Sequence, residues 1–366
     1  MKAIKWILAV IVGFALTACH KSDEPEQPAR RTVLVYMQAR NSLNGYDLDD
    51  LQEMQQATIP ADCHLLVYLS SYNSDDQLFE LTKEGRNVLK TYPEGSSLSV
   101  ERMRQVIADA RAAAPSRELG IVLWSHSSGW RQNATRMQAM TRGFGLEGSK
   151  FMSVTELAEA LANNDLDYIY FDTCYMGTVE VAYELRQCAN FMVGSVCEVP
   201  ADGSPYQLTL EGLFAADIRA GLRDAIDKTA SYYSGRTGSY CPSTLSLIDL
   251  GKMDALAAAT KAIYDNPQEL PADFTPQAYS VSVGFRDMFF DFGQYVETVA
   301  SDPVTLATWK ESMADAMLHE RHSPMIWGSL PITHCSGLST FIPSRAQNPD
   351  MYGYQSLAWA KYMNQL

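Results

Sequence analysis

LGIVLWSHSSGW, residues 119–130, is the stretch that decides how this chain folds. Its first seven residues form an apolar run of strand length, as expected of a strand covered on both faces of a sheet. The letters after that run admit two readings. Taken as a nucleophile elbow, S-H-S-S-G is a G-x-S-x-G motif whose first glycine has become Ser125, and Ser127 would attack. Taken as the end of a parallel strand, the same letters deliver His126 to the rim where open sheets bind ligands.

The flanking sequence favours a parallel sheet. TVLVYMQ (32–38), HLLVYLS (64–70), DYIYFD (167–172) and FMVGS (191–195) are further apolar runs. Helical periodicity separates them at 47–56, at 99–114 before Pro115, and at 178–187. QLFELT and NVLKTY flank a Lys83-Glu84-Gly85 turn and suggest an edge hairpin. This alternation predicts an α/β fold with helices on both faces of a mainly parallel sheet. Beyond about Pro205 helices dominate, at 211–234, 252–264 and 304–318, with isolated strands at STLSLIDL and LSTFIP. The expected organisation is a leader over 1–18, a tether over 19–31, a catalytic core over 32–205 and a mainly helical C-terminal portion over 206–366, packed on the core.

Composition excludes some partners. Among 366 residues, 29 basic against 43 acidic side chains leave a formal charge of −14, so the basic footprint of a nucleic-acid binder is missing. No C-x-x-C or H-E-x-x-H spacing occurs, and no metal site is expected. The N-terminus combines Lys2 and Lys5 with a short apolar run from Trp6 to Leu16, the pattern of an export signal. Leu16-Thr17-Ala18-Cys19 resembles a bacterial lipobox, which implies cleavage before Cys19, lipidation of its thiol and a lipid-anchored protein of the bacterial cell envelope. The polar segment 20–31 would be the tether.

Chemistry concentrates at two expected strand ends. The first carries His126. The second, FDTCYMG, carries Cys174, 48 residues downstream. A serine hydrolase would need an acid and then a histidine after Ser127; His319, His322 and His334 lack a matching context. A histidine preceding a cysteine by about 50 residues is the spacing of a caspase-type thiol site, because one crossover carries the chain between neighbouring strand ends. Histidine can deprotonate the thiol and later protonate the leaving amine. Backbone N–H groups at Ser127 and Cys174 could form an oxyanion hole.

VLWSHSSGW followed by YFDTCYMGTVEVAYEL resembles the paired signature of the clostripain-like cysteine peptidases, of the clan sharing the caspase and gingipain fold. The similarity begins at TVLVYMQARNSL, takes in DLDDLQEM and VGSVCEVPADGSPY, and returns at CSGLSTFIP. It implies a caspase-like α/β/α sandwich, with His126 as catalytic histidine, Cys174 as nucleophile and protein or peptide substrates. It also implies cleavage after arginine or lysine, for which Asp172 and Asp202 are the candidate substrate-binding carboxylates. Relatives cut themselves in the loop between the two blocks, which here carries Arg131, Arg136, Arg142 and Lys150. Calcium dependence occurs in some relatives; Asp47, Asp49 and Asp50 offer oxygens but lack EF-hand spacing, so a solvated helix N-terminus is the default. Three positions depart from the family: Ser127 replaces a glycine, Thr173 a smaller residue, and Arg40 stands in a commonly acidic stretch. A non-catalytic binding protein on the same fold is the alternative.

Overall fold

The computed structural model describes residues 28–131, 143–148, 150–236, 244–280, 288–345 and 353–364. Nine strands build one sheet: β1 (Ala29–Gln38), β2 (Cys63–Ser71), β3 (Ser74–Thr82), β4 (Gly85–Thr91), β5 (Ser116–Trp124), β8 (Leu166–Asp172), β9 (Ala189–Gly194), β10 (Thr244–Asp249) and β12 (Met317–His322). Shorter strands lie outside it as two-stranded ribbons: β6 (Phe144–Glu147) with β7 (Lys150–Met152), β11 (Phe290–Asp291) with β15 (Ser339–Thr340), and β13 (Met325–Ile326) with β14 (Leu330–Pro331). The sheet order is β12-β10-β9-β8-β5-β1-β2-β3-β4. Its five central strands run parallel, and antiparallel pairs close each side.

The apolar runs are continuous because both sheet faces are covered. Val33, Val35 and Met37 of β1 point into one core, closed by α1 (Tyr46–Gln56), α5 (Tyr206–Leu213) and α6 (Ile218–Tyr233). Leu34 and Tyr36 point into the other, closed by α2 (Val100–Ala113), α3 (Val154–Leu161), α4 (Val179–Glu184), α7 (Met253–Tyr264), α8 (Phe292–Val299), α9 (Pro303–Ala316) and α10 (Ala358–Met363). This is the expected α/β/α sandwich. Several helix starts are set locally: Ser99 and Asp302 accept the N3 amides of α2 and α9, and Ser153 with Glu156 forms a capping box on α3, each cap worth about 1 kcal/mol. No helix among the described residues is long and apolar enough to cross a membrane.

The C-terminal portion differs from the periodicity. The expected helix over 211–234 is two helices, α5 and α6, packed through a glycine pair: a Cβ on Gly212 would stand 2.5 Å from the Gly221 carbonyl oxygen, and one on Gly221 would stand 2.1 Å from that of Gly212. The expected helix over 304–318 ends at Ala316, and MLHERH becomes the edge strand β12, paired with β10. Its polarity suits a sheet edge, where charged side chains discourage further pairing. Two of the nine strands thus come from beyond residue 205, so this portion extends the sheet as well as covering it.

Candidate active site

β5 and β8 are neighbours in parallel register, with Trp124 opposite Asp172. His126 and Cys174 each lie two residues past that pair, so the register brings both to the same rim. They line one cleft of about 310 Å³, together with Leu43, Trp124, Asp172, Glu198 and Trp327.

The turns carrying them are locked to each other. Gly129 has φ +65°, and a Cβ there would lie 2.7 Å from the carbonyl oxygen of Tyr175. Tyr175 itself takes φ +58°, its amide donates to the Cys197 carbonyl, and its ring stacks on Phe289 at 4.5 Å. A non-glycine residue there, directly after the cysteine, is a strained conformation held by its surroundings. The Ser127 hydroxyl donates to the Cys174 carbonyl, a further tie between the two turns. Ser125 anchors the other side by donating to the Gln38 carbonyl at 2.8 Å.

Ser127 therefore occupies the glycine position of the family without lining the cleft, and no histidine hydrogen-bonds its hydroxyl among the described residues. Nothing in this arrangement activates it as a nucleophile. Thr173 is buried and does line the cleft. Arg40 is matched by carboxylates, Asp76 at 2.6 Å and Glu147 at 3.5 Å, with Arg102 on the far oxygen of Asp76.

His126 is desolvated, which lowers its pKa below the ordinary imidazole value. Its Nε2 lies 2.8 Å from the Ser42 hydroxyl, leaving Nδ1 without a partner among the described residues. Burial pushes the Cys174 thiol up to about 12, and the nearby carboxylates Glu198 and Asp172 add to the rise. The only group countering them strongly is the Val199 amide, which donates to Sγ at 3.3 Å. Both shifts favour the neutral forms, thiol and imidazole, over an ion pair.

Asp172 forms part of the cleft wall and is 7% exposed. Its Oδ2 accepts from the Ser204 amide at 2.9 Å and the Tyr206 hydroxyl at 2.8 Å. Burial still pushes its carboxyl up. Beside it, Asp50 accepts from Trp124 Nε1 at 2.6 Å and is pushed to about 9, by burial first and the charge of Asp172 second. Asp202 sits half-buried in the adjoining turn and does not line the cleft. The three helix-start aspartates do not converge: Asp47 accepts from the Gly45 amide, Asp50 from Trp124, and Asp49 is exposed. Cys19 lies outside the described residues, as do Arg136 and Arg142. Arg131 is buried and Lys150 exposed.

The model of the clostripain family matches residues 35–283. The chain belongs to the clostripain family. Membership brings cysteine peptidase chemistry, and the solved structures similar to this chain carry that fold. A secreted C11 cysteine protease from Bacteroides thetaiotaomicron, solved with an irreversible peptide inhibitor, is 24% identical with a TM-score of 0.79, covering 92% of this chain and 100% of its own. Iotapain, a secreted C11 cysteine protease from the same organism, is 24% identical with a TM-score of 0.81, covering 92% of this chain and 99% of its own. An inactive zymogen C11 protease from Parabacteroides distasonis is 29% identical with a TM-score of 0.79, covering 92% and 98%. No curated protein matches the chain.

Two residues lining the cleft, Glu198 and Trp327, and two packed against its residues, Ser42 on His126 and Asp50 on Trp124, carry no sequence signal for these roles. Ser42 and Asp50 belong to the first βα segment, Glu198 to the loop after β9, and Trp327 to the C-terminal ribbon. Ser42, Asp50 and Glu198 fall within stretches that resemble the family, but no stretch gives them a role, and Trp327 falls in none. Asp50 stands in sequence only as one of a helix-start cluster, with nothing local to place it under Trp124.

Proposed function

We propose that this clostripain-family protein is a cysteine endopeptidase cleaving after arginine or lysine, with Cys174 as nucleophile and His126 as general base and acid. The observation that carries this is the shared rim. Paired strand ends bring His126 and Cys174 to one cleft whose wall holds a buried carboxyl group, Asp172.

Each step is assigned to a group at that rim. His126 takes the Sγ proton as sulfur attacks the scissile carbonyl carbon. The carbonyl oxygen gathers the negative charge and accepts from the Ser127 and Cys174 amides. Collapse expels the amine, which receives its proton from His126, and leaves a thioester. Water, deprotonated by His126, then releases the acid and regenerates the thiol. Because burial holds the resting pair neutral, the proton moves during attack. A guanidinium or ammonium from the substrate would compensate the buried Asp172 charge, and Oδ1 is the oxygen not already taken by Ser204 and Tyr206. Asp202 would add negative charge on the approach. Gly203 supports this arrangement: with φ +59°, a Cβ there would lie 2.8 Å from Asp172 Oδ2.

The test is turnover of short peptides with arginine, lysine or a neutral residue at P1. Cys174→Ala should abolish activity, and Ser127→Ala should retain it within about tenfold, because Ser127 contributes its amide and not its hydroxyl. Absence of turnover for every P1 residue would favour a binding protein on this fold. Self-processing within 131–150 belongs to the same proposal. Wild-type protein should run as two bands on a denaturing gel and Cys174→Ala as one; identical single bands would refute it. Lipid anchoring at Cys19 should place the protein in the membrane fraction of cells, and Cys19→Ser should release it.

A further inference from the structure

Away from the cleft, three side chains with metal-binding atoms meet. One ligand atom each from Glu320, His322 and Cys335 lies within 4.8 Å of the other two. Glu320 and His322 alternate on the edge strand β12, opposite Ser246 and Thr244 of β10, so strand geometry gives them one face. They already touch, with His322 Nδ1 at 2.7 Å from Glu320 Oε1. Cys335 approaches from a segment pinned on both sides. The Thr333 amide donates to Gln277 Oε1 at 2.8 Å, the Tyr279 hydroxyl to the His334 carbonyl at 3.0 Å, and the Ser336 amide to Asp291 Oδ2 at 2.7 Å. Cys335 is a free thiol.

The geometry points to a zinc site formed by Glu320, His322 and Cys335. Thiolate, imidazole and carboxylate together are a donor set that zinc takes, with ligand bonds of about 2.0–2.3 Å. Tetrahedral ligands at such bond lengths stand within 4.8 Å of one another, a separation these three atoms already meet. Three protein ligands leave a fourth position, and the exposure of His322 lets water fill it. Binding releases the Cys335 proton to solvent and exchanges the Glu320–His322 contact for bonds to the ion.

The position of the site gives it a role beyond local stability. Between His322 and Cys335 runs the ribbon β13–β14, closed at its base by the Ile332 amide on the Pro324 carbonyl at 3.0 Å. At its tip Trp327, held at φ +50°, reaches the catalytic cleft. Just past Cys335, the Ser339 amide donates to the Gly177 carbonyl at 3.0 Å, three residues after the cysteine nucleophile. A metal here staples the two ends of the loop carrying Trp327 to the sheet edge, and so fixes one wall of the cleft. Metal binding itself does not depend on the peptidase assignment.

The experiment uses the full chain carrying Cys174→Ala, so that the thiol at the cleft cannot bind metal. After chelator treatment and removal of the chelator, cobalt(II) is titrated as a visible probe of zinc sites. The expected result is one equivalent of cobalt, with thiolate charge-transfer absorption and the strong visible bands of tetrahedral coordination, displaced by zinc. Adding Cys335→Ser should remove these bands. Adding His322→Ala, at an exposed residue of the edge strand, should weaken binding at least about tenfold while changing the metal-free melting temperature little. Zinc should raise the melting temperature of Cys174→Ala but not of either double variant. Absence of thiolate bands in Cys174→Ala, or equal binding after loss of Cys335 or His322, would overturn the site.

Discussion

Asp172→Asn isolates the charge on which the proposed preference for a basic side chain rests. The substitution is nearly isosteric, and the remaining amide oxygen can still accept from the Ser204 amide and the Tyr206 hydroxyl, now at 2.9 and 2.8 Å from Oδ2. Fold and cleft shape should persist while the negative charge is lost. A unit charge about 4 Å from a guanidinium contributes about 4 kcal/mol at an effective dielectric of 20, and removing one partner of a buried, hydrogen-bonded charge pair costs about 2–5 kcal/mol. The cleft is partly open, so about 2–4 kcal/mol is expected, a fall of about 30- to 1,000-fold in kcat/KM. The assay compares matched peptides with arginine, lysine or citrulline at P1, citrulline being the neutral counterpart of arginine. Arginine and lysine substrates should lose that factor while citrulline changes by less than about threefold. Asp50 sharpens the test. It is held near 9 partly by the Asp172 charge, so it should ionise more readily in the variant and recover part of the preference; Asp50→Asn combined with Asp172→Asn should lose more. An equal loss on all three peptides would show that Asp172 only supports Ser204 and Tyr206, and would refute the specificity argument.

The same geometry gives three further expected outcomes. Since burial raises the Cys174 thiol and lowers His126, activity should rise with pH as His126 loses its proton, with a midpoint below about 6.5, and alkylation by iodoacetamide should show no neutral-pH plateau; a thiolate plateau near about pH 5–7 would mean a resting ion pair. Gly129→Ala places a Cβ 2.7 Å from the Tyr175 carbonyl oxygen at a backbone of φ +65°, so it should destabilise by about 1–3 kcal/mol in denaturant titration and lower kcat more than about tenfold by moving the two turns apart. Glu180 is buried, accepts from Thr340 Oγ1 and the Phe341 amide at 2.9 Å each, and is raised by burial to about 7. Between about pH 4.5 and 7 the unfolded chain ionises this group while the native protein keeps its proton, so stability falls as pH rises and the loss is complete above about 7. Glu180→Gln should therefore raise the melting temperature at about pH 8, by an amount corresponding to at most roughly 3 kcal/mol, and change little at about pH 4.5; no pH-dependent difference would show that the group ionises freely.

Sequence by itself determined the layers and the rim that His126 and Cys174 share. Runs such as 32–38 and 119–125 are apolar along most of their length because both faces of a central parallel strand are covered, and that requirement is visible without knowing the neighbours. His126 and Cys174 were legible for a related reason: each directly succeeds such a run, and parallel strands end on one rim. Tertiary structure decided what depends on contacts between distant segments. Met317 and Leu318 close an expected helix, and MLHERH becomes a strand only because the edge of β10 is open to pair with it. Glu198 and Trp327 reach the cleft wall, and Ser42 and Asp50 pack against its His126 and Trp124, from segments far apart in the chain, and no local pattern records their convergence. Ser127 shows the difference most closely. Its replacement of glycine was apparent from the letters, but whether its hydroxyl would crowd the substrate or tie down the cysteine turn depended on where the Cys174 carbonyl lay.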